Sequence, residues 1–270
     1  FELHIYARTK SKVEDVIGEG AQFHESIKDC VQDCDAVITI VGFPQDVEEV
    51  YFDEGNILDS AKEGAYLIDM TTTSPQIAEK IYEEGTKRGF HVMDAPVTGG
   101  DTGAKAGTLS ILVGGEKEDY EACMPLFEAM GTNINYQGKA GCGQHCKLAN
   151  QIMIAGTLSG VCEALTYAKE QGLDPEVFMK SVATGAAGSK QLDTFGPKIL
   201  KDDYAPGFFM KHFIKDMKLA LIEANRKGLS LDVLSMVLAN YEELEQEGYG
   251  DLGTQALMKF YDEEHRNTEE

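Results

Sequence analysis

The sequence predicts an α/β domain built on a parallel sheet, followed by an all-α domain entered through one long helix. Three observations carry that prediction. Between Leu3 and Tyr136, short β-rich runs alternate with amphipathic helical stretches, the pattern of successive βαβ units. From Gly141 onward the β alternation disappears and apolar residues recur at helical spacing. Between the two textures lies a Gly-rich joint, Gly138–Gly143, so the expected division is 1–138 and 139–270.

Leu3–Tyr6 reads as the opening strand and Lys10–Gly18 as a short helix. Ala36–Val41 is a continuous apolar run, read as a strand buried on both faces. Pro44 opens the helix that begins with Pro44–Tyr51, because its fixed φ suits a first helical turn. Tyr66–Asp69 is the next strand, and the hydroxyls of Thr71–Pro75 can cap the helix that follows. His91–Asp94 and Leu109–Val113 read as strands, Glu118–Met130 as an amphipathic helix and Asn133–Tyr136 as a last short strand. Helices are then expected from about Gln144 to Gln171 and near Pro175–Ala183, Phe213–Lys227, Leu231–Glu247 and Leu252–Glu264. Along the long helix Gly156, Gly160, Ala164 and Ala168 recur every four residues, a stripe that reads as close helix packing. Asp262–Glu270 reads as a solvated acidic tail.

Composition narrows the function classes. Acidic residues number 46 against 24 basic ones, a net charge of −22 that repels phosphate backbones and anionic lipid surfaces. Nucleic acid and membrane are therefore not expected partners, whereas a small anionic substrate depends only on a local basic cluster. The longest apolar stretch, Ala36–Phe43, is far shorter than the roughly 20 residues of a membrane helix. No secretory pattern is visible, and six cysteines without framework spacing read as reduced thiols, which together point to a cytoplasmic setting. Cys142 and Cys146 flank His145, but no second ligand pair accompanies them, so packing is expected there and no metal site.

Four segments carry chemistry. No GxGxxG turn follows any early strand, although a dinucleotide-binding sheet usually starts with one. The opening residues instead read as the second strand of such a sheet, and about 25–30 residues forming a strand–turn–helix unit are expected to precede Phe1. That strand ends in Ala7-Arg8-Thr9-Lys10-Ser11-Lys12, where an NAD enzyme usually carries an acidic residue. Arg8, Thr9 and Lys12 suit the 2′-phosphate of NADP, the alternative being a solvated basic turn. Thr98-Gly99-Gly100 follows a strand and exposes a hydroxyl and backbone amides to a carboxylate or phosphate oxygen, or forms only a tight turn. In Gly141-x-Gly143-x-x-x-Lys147-x-x-Asn150-Gln151, helical spacing points Lys147, Asn150 and Gln151 toward one ligand. Burial of Lys147 would lower its pKa toward a value useful for proton transfer. Lys215 and Asp216 lie off the apolar stripe Phe213, Met217 and Leu221, and the plain reading of them is a helix-surface charge pair.

Taken in order, DMTTTSP (Asp69–Pro75), DAPVTGG (Asp94–Gly100), GCGQHCKLANQ (Gly141–Gln151) and PGFFMKHFIKDMKLA (Pro206–Ala220) resemble the motifs of the β-hydroxyacid dehydrogenase family. That family includes 3-hydroxyisobutyrate dehydrogenases, tartronate semialdehyde reductases and glyoxylate/succinic semialdehyde reductases. The resemblance covers essentially the whole chain. It implies a Rossmann-type domain joined by a long helix to an all-helical domain, with the active site in the cleft between them. It implies that Lys147 is the general acid in reduction and general base in oxidation, that Asn150 orients the substrate, and that Thr98, Gly99 and Gly100 hold its carboxylate. Lys215 would close over cofactor and substrate with Asp216 beside it. Val41, Gly42, Phe43, Pro44, Thr72, Phe209, Lys215 and Lys218 would face the cofactor together with Arg8, Thr9 and Lys12. Thr98 stands where many members have Ser, and Gln151 replaces a common second Asn.

The expected activity is hydride transfer between NADP(H), favoured over NAD(H), and a small carboxylated aldehyde or β-hydroxyacid, by a homodimer or homotetramer as the family implies. Imine reduction on the same fold is the enzymatic alternative; related imine reductases generally lack the lysine. A non-catalytic dinucleotide-binding protein is the other, against which stands the intact set of Lys147, Asn150 and Lys215.

Overall fold

A computed structural model describes residues 1–261. The expected acidic tail Asp262–Glu270, and the end of the helix expected over Leu252–Glu264, lie outside the described residues. The described residues form two compact units, Phe1–Gly99 with Gly103–Lys147, and Gly100–Thr102 with 148–261.

The first unit runs β1 (His4–Ile5), a 3₁₀ turn (Lys10–Lys12), α1 (Glu14–Gly18), β2 (Gln22–Phe23), α2 (Ile27–Val31), β3 (Ala36–Thr39), α3 (Pro44–Phe52) and α4 (Ile57–Ser60). It continues through β4 (Tyr66–Asp69), α5 (Pro75–Lys87), β5 (His91–Asp94), β6 (Val97–Thr98), α6 (Gly100–Ala106), β7 (Leu109–Gly115), α7 (Lys117–Ala122), α8 (Met124–Glu128) and β8 (Gly131–Gly138). β1 and β2 form a parallel pair of their own. The main sheet has the order β3-β4-β5-β7-β6, with β8 beside β7. β3, β4 and β5 are parallel, and β7 runs against β5 and β6. Alternation along β4 sends Leu67 into a core with Val47, Tyr51, Ile81 and Val92, and Ile68 into a second core with Met93, Ile111, Val113 and Phe127.

Three expectations for this unit change. The Ala36–Val41 run is not buried on both faces, since the strand ends at Thr39 and Ile40 is 67% exposed. β3 ends the main sheet's strand order, so among the described residues it is paired on one side only, and a continuous apolar run does not by itself reveal that. Lys10–Gly18 divides at Val13 into a 3₁₀ turn and α1. Glu118–Met130 divides at Cys123 into α7 and α8, because Pro125 in the first turn of α8 has no N–H to continue the earlier helix.

The second unit contains α9 (Cys142–Glu170), whose first residues belong to the first unit, α10 (Pro175–Ala183), α11 (Lys190–Ile199), α12 (Met210–Arg226) and α13 (Asp232–Gln246). Two 3₁₀ segments follow, Tyr249–Asp251 and Thr254–Tyr261, the second standing where an α-helix was expected. The core gathers Leu158, Cys162 and Leu165 of α9 around Phe213, Met217 and Tyr241, with Phe213 edge-on to Tyr241 at 5.4 Å. α9 is long and apolar enough to cross a membrane by length and composition; 44% of its most apolar window is buried inside the protein, where Leu158, Cys162 and Leu165 join the core. Its small-residue stripe packs only in part: a Cβ at Gly156 would come within ordinary contact of Val233, whereas one at Gly160 would meet open space.

Candidate active site

Parallel pairing in register sets Thr39, Asp69 and Asp94 side by side at the carboxyl ends of β3, β4 and β5. All three are buried. Thr39 Oγ1 donates to Asp69 Oδ1 at 2.8 Å and lies 3.0 Å from the Tyr51 hydroxyl. The Thr71 N–H donates to the same Asp69 oxygen at 3.2 Å, while Thr71 Oγ1 accepts from the Val41 N–H at 2.9 Å. One buried carboxylate thereby ties together the segments that leave two neighbouring strands, Val41–Pro44 and Thr71–Thr73. Burial pushes the Asp69 carboxyl up to about 6, against the pull of its threonine donors.

Asp94 serves the start of α9. Its Oδ1 accepts from the Gly141 N–H and its Oδ2 from the Gln144 N–H, each at 2.8 Å, satisfying amides that a helix start leaves unpaired. Burial raises this carboxyl above its usual range, and the two amides pull it back. The glycines of Gly141-x-Gly143 have separate reasons. Gly141 is left-handed, with φ of 84°. A Cβ at Gly143 would strike the Leu112 carbonyl oxygen and lie 2.8 Å from Asp94 Oδ2, so the first turn of α9 rests directly on β5 and β7. The Gln144 carboxamide, fully buried, accepts from the Thr73 N–H at 3.0 Å and donates to the Thr71 carbonyl at 2.7 Å. Lys147, the next turn along, is 7% exposed.

Among the residues expected to face the cofactor, Arg8 lies just past β1, 64% exposed at its side chain, with Nη2 3.1 Å from Asp46 Oδ1. Asp46 Oδ2 accepts from the Phe43 N–H at 2.9 Å, which joins Arg8 to the start of α3. Thr9 precedes the 3₁₀ turn that contains Lys12, Pro44 occupies the first turn of α3, and Gly42 and Thr72 are half-buried. Thr98 lies on β6 opposite Ser110 of β7, and Gly99 and Gly100 take φ of 130° and 64°, conformations that favour glycine. These residues fit a dinucleotide: Val41–Pro44 and Thr72 follow the carboxyl ends of parallel strands, and a nine-residue helix starts at Pro44 beside an exposed guanidinium.

In the second unit Asn150 Nδ2 donates to Gln151 Oε1 at 2.8 Å, and Gln151 Nε2 donates to Asp216 Oδ2 at 2.7 Å. Lys215 Nζ lies 3.1 Å from Asp216 Oδ1, with side-chain exposures of 12% and 1%. The helix-surface reading of this pair is overturned. The apolar positions of α12 at Phe213, Ile214, Met217 and Ala220 bury a wider face than the stripe first read, and Asp216 falls within it, paired with a buried Gln. Lys218 is half-exposed and pairs with Glu242 of α13 at 2.7 Å. Phe209 precedes α12, bridges to Gly253 and meets His212 edge-on.

Sequence reasoning passed over Thr39, Asp46 and the roles of Asp69, Asp94 and Gln144. The available signal was positional: acids ending four-residue strands, and an unbranched amide between a Gly-x-Gly and a lysine.

The described relatives agree with this architecture. A family model for the NAD binding domain of 6-phosphogluconate dehydrogenase matches residues 1–138, and one for NAD-binding of NADP-dependent 3-hydroxyisobutyrate dehydrogenase matches residues 141–261. The chain is 50% identical to the uncharacterized oxidoreductase YkwC of Bacillus subtilis, covering 95% of this chain and 89% of the relative. It is 43% identical to a 3-hydroxyisobutyrate dehydrogenase-like protein of Arabidopsis thaliana, covering 96% and 77%. Among solved structures, Mycobacterium tuberculosis 3-hydroxyisobutyrate dehydrogenase with L-serine superposes with a TM-score of 0.85 at 25% identity, covering 94% and 88%. With its motifs in order along a Rossmann-like domain and a helical one, the chain belongs to the β-hydroxyacid dehydrogenase family and is a pyridine-nucleotide-binding oxidoreductase of the 3-hydroxyisobutyrate dehydrogenase-like kind.

Proposed function

We propose that this protein is an NADP(H)-dependent reductase of small carboxylated aldehydes, acting reversibly on the corresponding β-hydroxyacids. The observation that carries the reading is Lys147, a buried lysine one turn beyond a helix start that Asp94 and Gln144 fasten to the sheet. The reduced nicotinamide, when bound, supplies hydride to the carbonyl carbon. Lys147 holds the proton that the developing alkoxide takes up and receives it back in oxidation, help worth about 10²–10⁴ in rate. The Thr98 hydroxyl and the Gly99 and Gly100 amides donate to the substrate carboxylate. Asn150 orients the substrate, and its own orientation is supported by the Gln151 carboxamide, whose other end is committed to Asp216. Lys215, paired with Asp216, is the cation that closes over the bound anion.

The NADP reading rests on Arg8, Thr9 and Lys12, since a guanidinium offers a planar fork to a 2′-phosphate and no acid stands at the end of β1. Val41–Pro44, Thr72, Phe209 and Lys218 are the remaining residues assigned to the cofactor side. The same proposal includes a homodimer or homotetramer and a cytoplasmic setting. Its test is Lys147→Ala: the variant is expected to fold and bind NADPH but to lose at least about 10² in turnover. Turnover near that of the parent protein would remove Lys147 from the role.

A further inference from the structure

The geometry points to Gln144 as the positioning residue that holds Lys147 in register with the cofactor-side segment Thr71–Thr73, an inference that rests on the proposed role of Lys147. Both ends of its carboxamide are committed to the backbone on either side of Thr72, accepting from the Thr73 N–H and donating to the Thr71 carbonyl. The amide thus behaves as a peptide group from a neighbouring strand would, and it is fully buried. The main-chain N–H of Gln144 is fixed as well, on Asp94 Oδ2. The residue is therefore held from the end of β5 by its backbone and from the segment after β4 by its side chain.

Those two attachments set the rotation of α9 about its axis and its height above the sheet at residue 144. Helix geometry carries both three residues further, a rise of about 4.5 Å with return to nearly the same face, to Lys147. The segment being held is itself anchored, since Thr71 donates its N–H to Asp69 and accepts from Val41. Gln144 therefore joins the lysine to the network that also fixes Val41–Pro44. Capping of the helix does not require the carboxamide, because Asp94 already meets the Gly141 and Gln144 amides. What the carboxamide adds is the link to Thr72 and its neighbours. Asparagine has the same donor and acceptor on a stem one methylene shorter, and glutamate keeps the acceptor for Thr73 but loses the donor for Thr71.

Steady-state kinetics of the full-length protein with NADPH and its aldehyde substrate test this. Gln144→Met, of similar length and without polar atoms, is expected to fold and to bind NADPH, with kcat down by about 10–100-fold, the range a displacement near 1 Å produces. KM for the aldehyde and Kd for NADPH are expected to stay within about threefold, separating a transition-state effect from a binding effect. The solvent deuterium isotope effect on kcat is expected to rise as proton delivery becomes limiting. Should Gln144→Met melt below the assay temperature, Gln144→Asn is read by the same measurements, with an intermediate loss expected. A folded variant with unchanged kcat, or with kcat and NADPH affinity falling together and no change in the isotope effect, overturns the inference. Parental turnover in Lys147→Ala would instead overturn the reading beneath it, so the two failures are distinguishable.

Discussion

Asp69, Asp94 and Asp216 are all buried, and each carboxylate is held by a different kind of partner. Asp69 faces hydroxyl and amide donors and is pushed up to about 6 from an ordinary 3.8. As pH rises, the unfolded chain gives up this proton first, so the unfolded state binds fewer protons and stability falls between about pH 4 and pH 6. The loss amounts to about 3 kcal/mol at the conversion of 1.36 kcal/mol per pKa unit. Asp69→Asn keeps an oxygen for Thr39 and Thr71, and urea midpoints measured across that window are expected to show a shallower decline; an unchanged decline would contradict the assignment. Asp216 is held differently, by an ammonium and a carboxamide. Asp216→Ala leaves the partly exposed Lys215 without this partner and is expected to cost about 1–3 kcal/mol, whereas Asp216→Asn retains an acceptor for Gln151 and costs less. Equal urea stability of Asp216→Ala and the parent would contradict the buried pair. Lys147, Asn150 and Lys215 entered the proposal from sequence because their order and spacing recur in a recognisable family. Gln144 was not, because a glutamine on a helix carries no pattern of its own until the sheet beneath it is known.

At the scale of elements, the start of α9 depends on the absence of side chains. Gly143→Ala would press a methyl group against the Leu112 carbonyl and the Asp94 carboxylate, lifting the first turn of the helix from β5 and β7. The expected result is a stability loss of about 1–3 kcal/mol in thermal melts, together with a fall in kcat because Lys147 moves with the turn. A melt identical to that of the parent would contradict the close approach. β4, β5, β7 and α9 were legible because their apolar periods are long or strongly bounded. β2 and α2 were not, having two and five residues and little periodicity to offer. α11 was passed over because Pro197 lies inside it, where sequence reasoning expects a break. The exposure of Ile38 on β3 is a matter of what packs on that face of the sheet, and a run such as AVIT reads the same on a covered face as on an open one.

At the scale of the whole molecule, an acidic surface coexists with a local basic group at Arg8, Lys10 and Lys12, so net charge and cofactor preference are separate questions. Arg8→Ala is expected to lower kcat/KM for NADPH by at least about tenfold with little change for NADH, as loss of one charged phosphate contact implies. Equal losses with both cofactors would contradict a role at the 2′-phosphate. The proposed homo-oligomer predicts a sedimentation mass of at least twice that of the chain. Met153, Val233 and Met236, exposed apolar residues of the helical unit, are the first positions to replace with glutamate if that mass is observed. The central claim is tested most directly by following NADPH and NADH absorbance with the full-length protein against glyoxylate, succinic semialdehyde, tartronate semialdehyde and methylmalonate semialdehyde. The account predicts turnover of at least one of the four, faster with NADPH than with NADH. Silence across all four while NADPH binds tightly would contradict it, and would turn attention to C=N substrates or to a protein that binds the dinucleotide without reducing anything.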